Sequence, residues 1–478
     1  MIKRLFFCLY VAGITCTSAI AQPSVEFASS DTALQNSFYR AKALALSYKG
    51  NPADPVGPWY EAALPSRQAF CIRDVSHQSI GAEILGMSAE NKNMLTHFVS
   101  NISASKDWCT FWEMNKFGKP APEDYRNDKE FWYNLNANFE LVYACWRMYQ
   151  WTGDKYYISS PVFKQFFTAT LTSYITKWKL EADSLLKRPP YLNAPVPFNV
   201  KDYFHRCRGI PSYYEARDDI KIGIDLIAAI ARAYKCSAAM ESLWGNREKS
   251  EAYTRMSENY RQQIDEKWWD DSAQQYHTYY TNNSIFGNGE GATFLLWYDV
   301  LNDSSRIRKT IAQLVDTTLN VENRSYLSYQ FARYGYADEA YRNILHLMHP
   351  ATERREYPEV SFGVMEGIVQ GVMGVSADAG SNRITTLYNY PFQHCASIDH
   401  LNILSAEVNL KHCKKESTLT NNGKKAVTWR AAFHGSHSLL LMNGKKVKAF
   451  LHTEIMGNQT SYTDIRLLPG KTATVAVP

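Results

Sequence analysis

The chain has 478 residues, which is enough for one large core or for two domains. Its formal net charge of +5 at pH 7 is small for this length, and no run of Lys or Arg stands out. Nucleic acid is therefore excluded as an expected partner. No segment beyond the first fourteen residues is apolar enough to span a membrane.

The N-terminus has the layout of a cleaved export signal. Two basic residues precede an apolar run over 5–14, and 19–21 forms a small-x-small cleavage site. The apolar run is too short to cross a bilayer. We therefore expect a signal peptide over 1–21, a mature start at Gln22, and a periplasmic or secreted protein. Lipoprotein anchoring at Cys16 is the alternative, and its poor lipobox context makes us favour release.

Helical periodicity dominates from about 30 to 375. Apolar residues recur at spacings of three and four, as at Ile220, Ile224 and Ile227. Alternating inner and outer helices would give six hairpins, an (α/α)6 toroid over 22–375, with an open solenoid as the alternative. The pattern predicts about twelve helices, at 31–49, 72–87, 88–103, 129–152, 154–183, 214–242, 245–267, 288–301, 303–316, 322–335, 336–349 and 357–374.

The pattern changes to a period of two near Val375. Residues 376–478 alternate apolar and polar side chains, and Asn422-Gly423 and Asn443-Gly444 predict two-residue hairpin turns. We expect a small antiparallel β-sandwich domain that caps the helical domain. The predicted fold class is therefore mainly α, a toroid followed by a β-sandwich.

Six polar and aromatic stretches precede or open the predicted inner helices. If those helices form a ring, the stretches converge on one rim and build an acidic, aromatic bowl of the kind that binds carbohydrate. Mid-helix Glu140 would then face either the lumen of the ring or an ion pair with Arg147. The stretches are 73–78, 131–134, 213–218, 286–290, 323–329 and 356–361.

Glycoside hydrolysis needs one carboxylic acid that protonates the leaving oxygen and a second carboxylate that acts as base or nucleophile. Carboxylates also stabilise helix N-termini, so position alone does not identify them. Glu359 follows Pro358 at a helix start and is the preferred catalytic residue, with Glu356 as its alternative. Asp218 is the preferred partner, because its helix would lie across the ring, an arrangement that favours inversion. Asp74 is third, as catalyst or as an anchor for a sugar hydroxyl.

Basic and aromatic side chains near these carboxylates are expected to bind the substrate. Basic groups suit an acidic sugar such as a uronic acid, although they also suit structural ion pairs. Aromatic faces stack on sugar rings, although each equally suits a helical core. The expected binding residues are Arg73, His77, His205, Arg208, Trp59, Tyr133, Tyr214, Glu356 and Tyr357.

We expect neither a metal nor a cofactor, because no His, Cys and carboxylate set has metal-ligand spacing. Seven cysteines follow the leader without Cys-x-x-Cys spacing. Most are expected to be small buried groups, and one disulfide is compatible with an oxidising compartment without a preferred pair.

The segment 73–78, followed by Gly81 and Leu85-Gly86, resembles the start of the catalytic domain of bacterial six-hairpin glycosidases. The segments 417–421 and 428–433, with Asn443-Gly444, resemble the β-domain that closes many such proteins. The chain resembles glycoside hydrolase family 154, whose known activity is β-glucuronidase. The resemblance is specific for the architecture and weak for the substrate. It implies two catalytic carboxylates on the rim without aligning them one by one onto this chain.

These observations predict a secreted glycoside hydrolase that removes a terminal sugar, a uronic acid, from an oligo- or polysaccharide. One alternative is a polysaccharide lyase on the same toroid, with His77, His205 and Tyr214 available for proton abstraction. The others are a hydrolase resembling α-L-rhamnosidases and a non-catalytic glycan-binding protein. The sequence defines neither the linkage nor the oligomeric state.

Overall fold

The structure, a computed structural model, describes residues 24–478 except 207, 215, 216, 393 and 414. The predicted signal peptide and the mature start at Gln22 therefore lie outside the described residues. No helix in the described part of the chain has the length and apolarity needed to cross a membrane.

Twelve helices, α1 to α12, form the framework of the described residues up to 372. Shorter helices at Tyr156–Ser159, Ile175–Trp178, Tyr203–Arg206 and Val321–Ser325 lie between them, and π-helical turns continue α5 and α12. The twelve are Thr32–Ser47, Ile72–Ile84, Ser88–Ser100, Asn136–Thr152, Pro161–Ala169, Ile224–Leu243, Arg247–Lys267, Ala292–Trp297, Ser304–Asp316, Leu327–Arg333, Ala337–Met348 and Pro358–Glu366.

The even-numbered helices form a closed inner ring. Helix α2 packs on α4, α4 on α6, α6 on α8, α8 on α10, α10 on the end of α12, and α12 returns to α2. The odd-numbered helices lie outside this ring, as α7 does on α6 and α1 on α12. The predicted (α/α)6 toroid is therefore confirmed, and the open solenoid is wrong. The starts of α2 and α12 and the short helix before α10 lie together on one rim of the ring.

Two glycines let α12 approach its neighbours closely. A Cβ at Gly81 of α2 would lie 2.3 Å from the carbonyl oxygen of Phe362 in α12. A Cβ at Gly363 would lie 2.5 Å from the carbonyl oxygen of Ser325. Backbone atoms cannot give way at such distances, so both positions need glycine. This packing brings the starts of α2 and α12 beside the short helix that precedes α10.

Two inner helices begin later than the sequence pattern predicts. Helix α4 begins at Asn136 rather than 129, and α6 begins at Ile224 rather than 214. Short strands occupy the intervening residues, among them Ile220–Gly223, which pairs with Tyr279–Thr281. The alternation of Ile220 and Ile222 with polar or small residues is the period-two signal that the helical interpretation missed.

Two sheets form the C-terminal domain. Their strands, β1 to β12, are Glu26–Ser29, Val375–Asp378, Arg383–Leu387, Ala396–Ile403, Ala406–Cys413, Glu416–Asn421, Val427–His434, Leu439–Met442, Lys445–Lys448, Phe450–Thr453, Gln459–Leu467 and Thr472–Ala476. One sheet has the order β1-β4-β5-β6-β12-β8-β9 and the other β2-β3-β7-β11-β10. The pairing is antiparallel as predicted, apart from β3 and β7, which run parallel. The N-terminal β1 joins this domain by pairing with β4.

The two Asn-Gly pairs behave differently. Asn443-Gly444 joins β8 to β9 as a two-residue hairpin, and both residues have positive φ angles, 47° and 77°. A type I′ turn requires that geometry. Asn422-Gly423 leads from β6 in one sheet to β7 in the other, so the predicted hairpin there is wrong. A disulfide joins Cys395, directly before β4, to Cys413, the last residue of β5, and so links two neighbouring strands of one sheet.

Candidate active site

Acidic side chains from three helix starts meet on the rim of the ring. They are Asp74 in the first turn of α2, Glu359 in the first turn of α12, and Glu322 in the short helix before α10. We call these three residues the carboxylate cluster. The charges of Asp74 and Glu322 both act on Glu359. The three carboxylates therefore come from neighbouring positions in the ring and not from opposite sides of it.

Glu322 is held by hydrogen-bond donors. Its Oε1 lies 3.2 Å from Arg73 Nε, accepts from the Tyr213 hydroxyl at 3.0 Å, and lies 3.5 Å from the Tyr326 hydroxyl. The Arg73 guanidinium also lies over the rings of Tyr213 and Trp112, at 4.8 and 5.3 Å. A guanidinium and two phenols stabilise a negative charge on Glu322. The Glu322 and Arg73 side chains keep 17% and 14% of their surface exposed, so this side of the cluster is open to solvent.

Asp74 and Glu359 have the opposite surroundings. Burial and the nearby charge of Glu322 raise the pKa of Asp74 to about 7. Burial, with the charges of Asp74 and Glu322, raises the pKa of Glu359 well above its usual range. Among the described residues, Arg73 is the guanidinium that acts on both acids, and it opposes the effect of the neighbouring carboxylates only in part. Repulsion between carboxylates therefore disfavours the ionised forms of Asp74 and Glu359. At neutral pH this pair retains protons that an exposed carboxyl group would lose.

Glu140 lies one turn deeper and faces the lumen. Its Oε1 accepts from the Tyr298 hydroxyl at 3.2 Å and lies 3.7 Å from His77 Nε2. The alternative partner predicted for it, Arg147, pairs instead with Glu366 of α12. Glu140 therefore adds a fourth carboxylate to the interior of the ring.

Several buried polar atoms beside the cluster have no hydrogen-bond partner in the described residues. They include both ring nitrogens of His77 and both amide atoms of Gln78. These side chains and Glu359 line a small closed cavity with room for about one water molecule. Buried polar atoms are nearly always paired, so water or the hydroxyl group of a ligand would satisfy them here.

Asp218 does not occupy the predicted position. Helix α6 begins six residues later, and Asp218 lies in an exposed loop where its backbone carbonyl accepts from the Tyr191 hydroxyl. The first carboxylate of α6 is the buried Asp225, which accepts from Asn136 Nδ2 at 3.0 Å. The prediction that Asp218 begins an inner helix is therefore wrong, because a strand separates it from that helix. Glu215, from the same stretch, lies outside the described residues.

The two basic residues expected from the loop before α6 are held by other acids. His205 Nε2 lies 3.0 Å from Glu130 Oε1. Arg208 is buried against Asp107 and donates to the carbonyl oxygen of Lys129. Their described contacts are with these groups and not with the carboxylate cluster, so the expectation that they flank it is not met.

Three of the expected aromatic platforms are parts of the core. Trp59 donates from Nε1 to Asp54 Oδ2 at 2.7 Å, and the Tyr214 hydroxyl lies 2.9 Å from the carbonyl oxygen of Thr278. Both rings are buried, as is that of Tyr133. Their faces are therefore covered by protein atoms rather than open to a ligand.

Glu356 and Tyr357 lie at the outer edge of α12. The Glu356 side chain is exposed, and its carbonyl oxygen accepts from the Tyr48 hydroxyl. Tyr357 is partly exposed and packs under the guanidinium of Arg354 at 5.5 Å. Both residues remain accessible, which suits a peripheral contact better than a role in the cluster.

Sequence reasoning missed Glu322, although the neighbouring stretch 323–329 was selected. Asn320 caps the short helix by accepting from the backbone N–H of Asn323 at 2.8 Å, which places Glu322 in the first turn. An Asn followed two residues later by Glu is a recognisable helix start. The predicted helix 322–335 begins at Glu322, but this residue was not counted among the candidate carboxylates.

One group in the described residues has metal-ligand character. Oxygen or nitrogen atoms of Glu130, Asp202 and His205 all lie within 4.8 Å of one another. Arg126 already pairs with this group, with Nη1 2.8 Å from Asp202 Oδ2. Since a guanidinium balances these acids, the group is accounted for as an ion-pair network, and the absence of a catalytic metal stays a prediction.

Comparisons with known proteins support the architecture. A family model for trehalase matches residues 213–331, which cover α6 to α10 and include Glu322 but not Asp74 or Glu359. No curated protein matches the chain. The matched segment is a minority of the sequence, so it supports a glycosidase without defining the family.

Solved structures with the same fold include several glycan-active enzymes. An α-L-rhamnosidase from Dictyoglumus thermophilum has a TM-score of 0.60 at 12% identity, with 95% of this chain and 51% of that chain covered. A rhamnosidase of family GH78 from Bacillus sp. GL1 has a TM-score of 0.57 at 12% identity, covering 83% and 40%. A sialidase has a TM-score of 0.57 at 11% identity, covering 91% and 41%.

This chain thus spans only about half or less of each of these enzymes. At such identities the similarity defines the fold and not the sugar. The chain has the helical toroid and β-sandwich architecture of these glycan-active enzymes, and its partial match to trehalase supports a glycosidase.

Proposed function

We propose that this protein is a glycoside hydrolase that removes a neutral terminal sugar from an oligo- or polysaccharide. The observation that carries the proposal is the carboxylate cluster. It combines two buried acids whose pKa values are raised, Asp74 and Glu359, with one carboxylate held by a guanidinium and a phenol, Glu322. Glycoside hydrolysis requires these two functions side by side.

In the proposed reaction the pair of Asp74 and Glu359 donates a proton to the glycosidic oxygen as the bond from that oxygen to the anomeric carbon breaks. Glu322 either takes a proton from the attacking water or attacks the anomeric carbon itself. A general acid works best when its pKa lies near the working pH, as that of Asp74 does at about 7. Turnover should therefore fall as the pH rises above about 7.

The stereochemical outcome stays open to measurement. The prediction of inversion depends on two carboxylates from opposite sides of the ring, and the cluster instead comes from neighbouring helices. NMR of the first product formed from an aryl glycoside distinguishes inversion from retention, because the anomers interconvert more slowly than a fast assay.

The charge balance favours a neutral sugar at the cleaved position over a uronic acid. Arg73 is already paired with Glu322, and Asp74, Glu140 and Glu359 surround it with further carboxylates. Another carboxylate bound there would compete with Glu322 for Arg73 and would disfavour ionisation of Asp74 and Glu359 still further. A terminal uronic acid stays a prediction that the same assay tests.

A panel of aryl glycosides tests the proposal. It should contain neutral sugars, including α-L-rhamnoside, and β-D-glucuronide as the acidic alternative. We expect release of the aryl group from a neutral member at a rate at least about a hundredfold above that of the Glu322→Gln variant. An unsaturated, ultraviolet-absorbing product from a polyuronide would instead identify a lyase. Binding of glycans without turnover of any member would identify a binding protein.

The place of action is a separate proposal. The disulfide between Cys395 and Cys413 suits an oxidising compartment, as does the predicted signal peptide. We therefore propose export to the periplasm or the medium. Detection of a mature chain that starts at Gln22 in those fractions would support it.

A further inference from the structure

A second cavity lies on the rim beside the carboxylate cluster, and its charge is the reverse of the cluster's. It has a volume of about 480 Å³ and is lined by Arg324, His346, His349 and Arg354, with Glu353 as its one acidic side chain. Such a volume accommodates a sugar unit. Two guanidinium and two imidazole groups therefore face one exposed carboxylate.

Arg324 is the informative residue of this cavity. It is half-buried, and burial lowers its pKa. Its hydrogen bond through Nη1 goes to the neutral amide oxygen of Asn343 at 3.4 Å, and no carboxylate in the described residues lies within ion-pair distance of it. By contrast, Arg67 is paired with Glu113 at 2.9 Å, and the buried Arg188, which has no acid partner, donates to three backbone carbonyl oxygens. A cation without an anion is costly to bury, so this site is incomplete without a ligand of negative charge.

The walls of the cavity are the two segments that lead into the cluster. Arg324 follows Glu322 by two residues in the same short helix, and the two side chains contact different partners, Asn343 of α11 and Arg73 of α2. On the other wall, Arg354 precedes Glu359 by five residues. Each of the two lining segments therefore also carries one carboxylate of the cluster, which makes the cavity and the cluster neighbours along two stretches of chain.

We propose that this cavity is a subsite for an oxyanion, a carboxylate or sulfate group carried by a sugar unit next to the one that is cleaved off. The inference rests on the proposed function only in taking the oxyanion to belong to the glycan. It divides recognition between two places, a neutral sugar at the acidic cluster and an acidic neighbour at the basic cavity.

Anion binding is measured first, without turnover. Sodium glucuronate and sodium sulfate are titrated calorimetrically, at constant ionic strength, into the wild type and into the Arg324→Gln, Arg324→Lys and Arg255→Gln variants. Arg255 is an exposed arginine in α7, on the outer layer, and serves as the matched control. We expect binding about tenfold weaker in Arg324→Gln, partly restored in Arg324→Lys and unchanged in Arg255→Gln. Equal binding by all four proteins, or none by the wild type, overturns the subsite.

The second measurement separates a substrate group from a free anion. It compares kcat/KM for two disaccharides that carry the same neutral terminal sugar, linked either to glucuronic acid or to glucose. We expect the wild type to prefer the acidic one by about tenfold, and Arg324→Gln to reduce that ratio to about one. Anion binding without this preference would show a site for free anions and overturn the glycan assignment. If neither disaccharide is cleaved, the proposed function fails while the titration still decides the subsite.

Arg324→Gln loses one hydrogen bond to Asn343, so its folding is checked by circular dichroism. If Arg324→Gln does not fold, both measurements are made on Arg354→Gln, which changes an exposed residue of the same cavity. Unchanged glucuronate binding in a folded Arg354→Gln and a folded Arg324→Gln would exclude the cavity as the anion site.

Discussion

The two ends of the helical ring hold aspartates with opposite surroundings. Asp74 lies at the N-terminal rim among carboxylates, and its pKa is raised to about 7. Asp299 lies beyond the C-terminus of α8, where Arg333 Nη2 is 2.7 Å and Arg232 Nη1 is 3.4 Å from its oxygens. Despite the opposing effect of burial, these cations and Lys235 lower the pKa of Asp299 to about 2.

The difference shows that burial alone does not make an acid functional. Asp74 is buried and Asp299 keeps 21% of its side-chain surface exposed, and the sign of the neighbouring charge decides which one keeps its proton. At one end of the ring an excess of acids holds a proton available at neutral pH. At the other end an excess of cations fixes an anion as a structural element. We therefore expect changes at the two ends to separate activity from stability.

The largest expected effect is on activity at the N-terminal rim. Glu322→Gln, Glu359→Gln and Asp74→Asn should each fold normally and lose at least about a hundredfold in turnover, because each removes an acid or base function. The measurement is kcat on whichever aryl glycoside the wild type cleaves. Circular dichroism and the melting temperature serve as controls. A variant with near-normal turnover would remove its residue from the mechanism.

The next effect is on stability at the C-terminal end. Asp299→Asn leaves three cations around a neutral amide and should lower the free energy of unfolding by about 2–4 kcal/mol at pH 7. Asn tolerates the positive φ of 54° at this position, so backbone strain does not contribute. The loss should shrink in acid. The folded pKa is depressed, so the wild type loses this stabilisation as the pH falls from about 4 to about 2. Urea unfolding at pH 7 and pH 3 measures it, and an equal loss at both pH values would contradict the assignment.

For Asp74 we expect the opposite dependence of stability on pH. Its pKa is raised on folding, so the unfolded chain releases a proton that the folded protein retains. Wild-type stability therefore falls as the pH rises from about 4 to about 7. Asp74→Asn has no such cost and should be more stable than the wild type by about 1–3 kcal/mol at pH 8, with little difference at pH 4.5. Thermal unfolding of both proteins at the two pH values tests this, and a pH-independent difference would show that the acid is not buried in its charged form.

The sequence predicts the ring better than the cluster, for a physical reason. Helical periodicity and the change of period near Val375 report burial over many residues, so the toroid and the β-sandwich follow from them. Asp74 and Glu359 were also found, because each stands in the first turn of a long apolar helix. Glu322 and Asp218 depend on where short elements begin. A five-residue helix and a four-residue strand carry too little periodicity to be recognised.

The partners of the charged residues likewise could not be predicted from the sequence. Arg208 is close in sequence to an inner helix, yet its partner is Asp107, which is distant along the chain. Arg73 is next to Asp74 in sequence, yet it pairs with Glu322 from another helix. Long-range pairs of this kind depend on the packing of the ring, which local patterns do not encode.

The smallest expected effect on turnover is that of a substitution at Asp218. Asp218 has the residue type and the neighbourhood in sequence that catalysis requires, but it is exposed and lies in a loop ahead of α6. Its exposed side chain lacks the enclosed surroundings of Asp74 and the fixed donors that hold Glu322. Asp218→Asn should therefore change kcat by less than about twofold, since surface substitutions usually have small effects. Asp219→Asn is the matched control, because that neighbour is paired with Arg217 at 2.9 Å. A hundredfold loss in Asp218→Asn alone, with normal folding, would mean that this loop carries catalytic groups onto the substrate and that the cluster on α2 and α12 is incomplete without it.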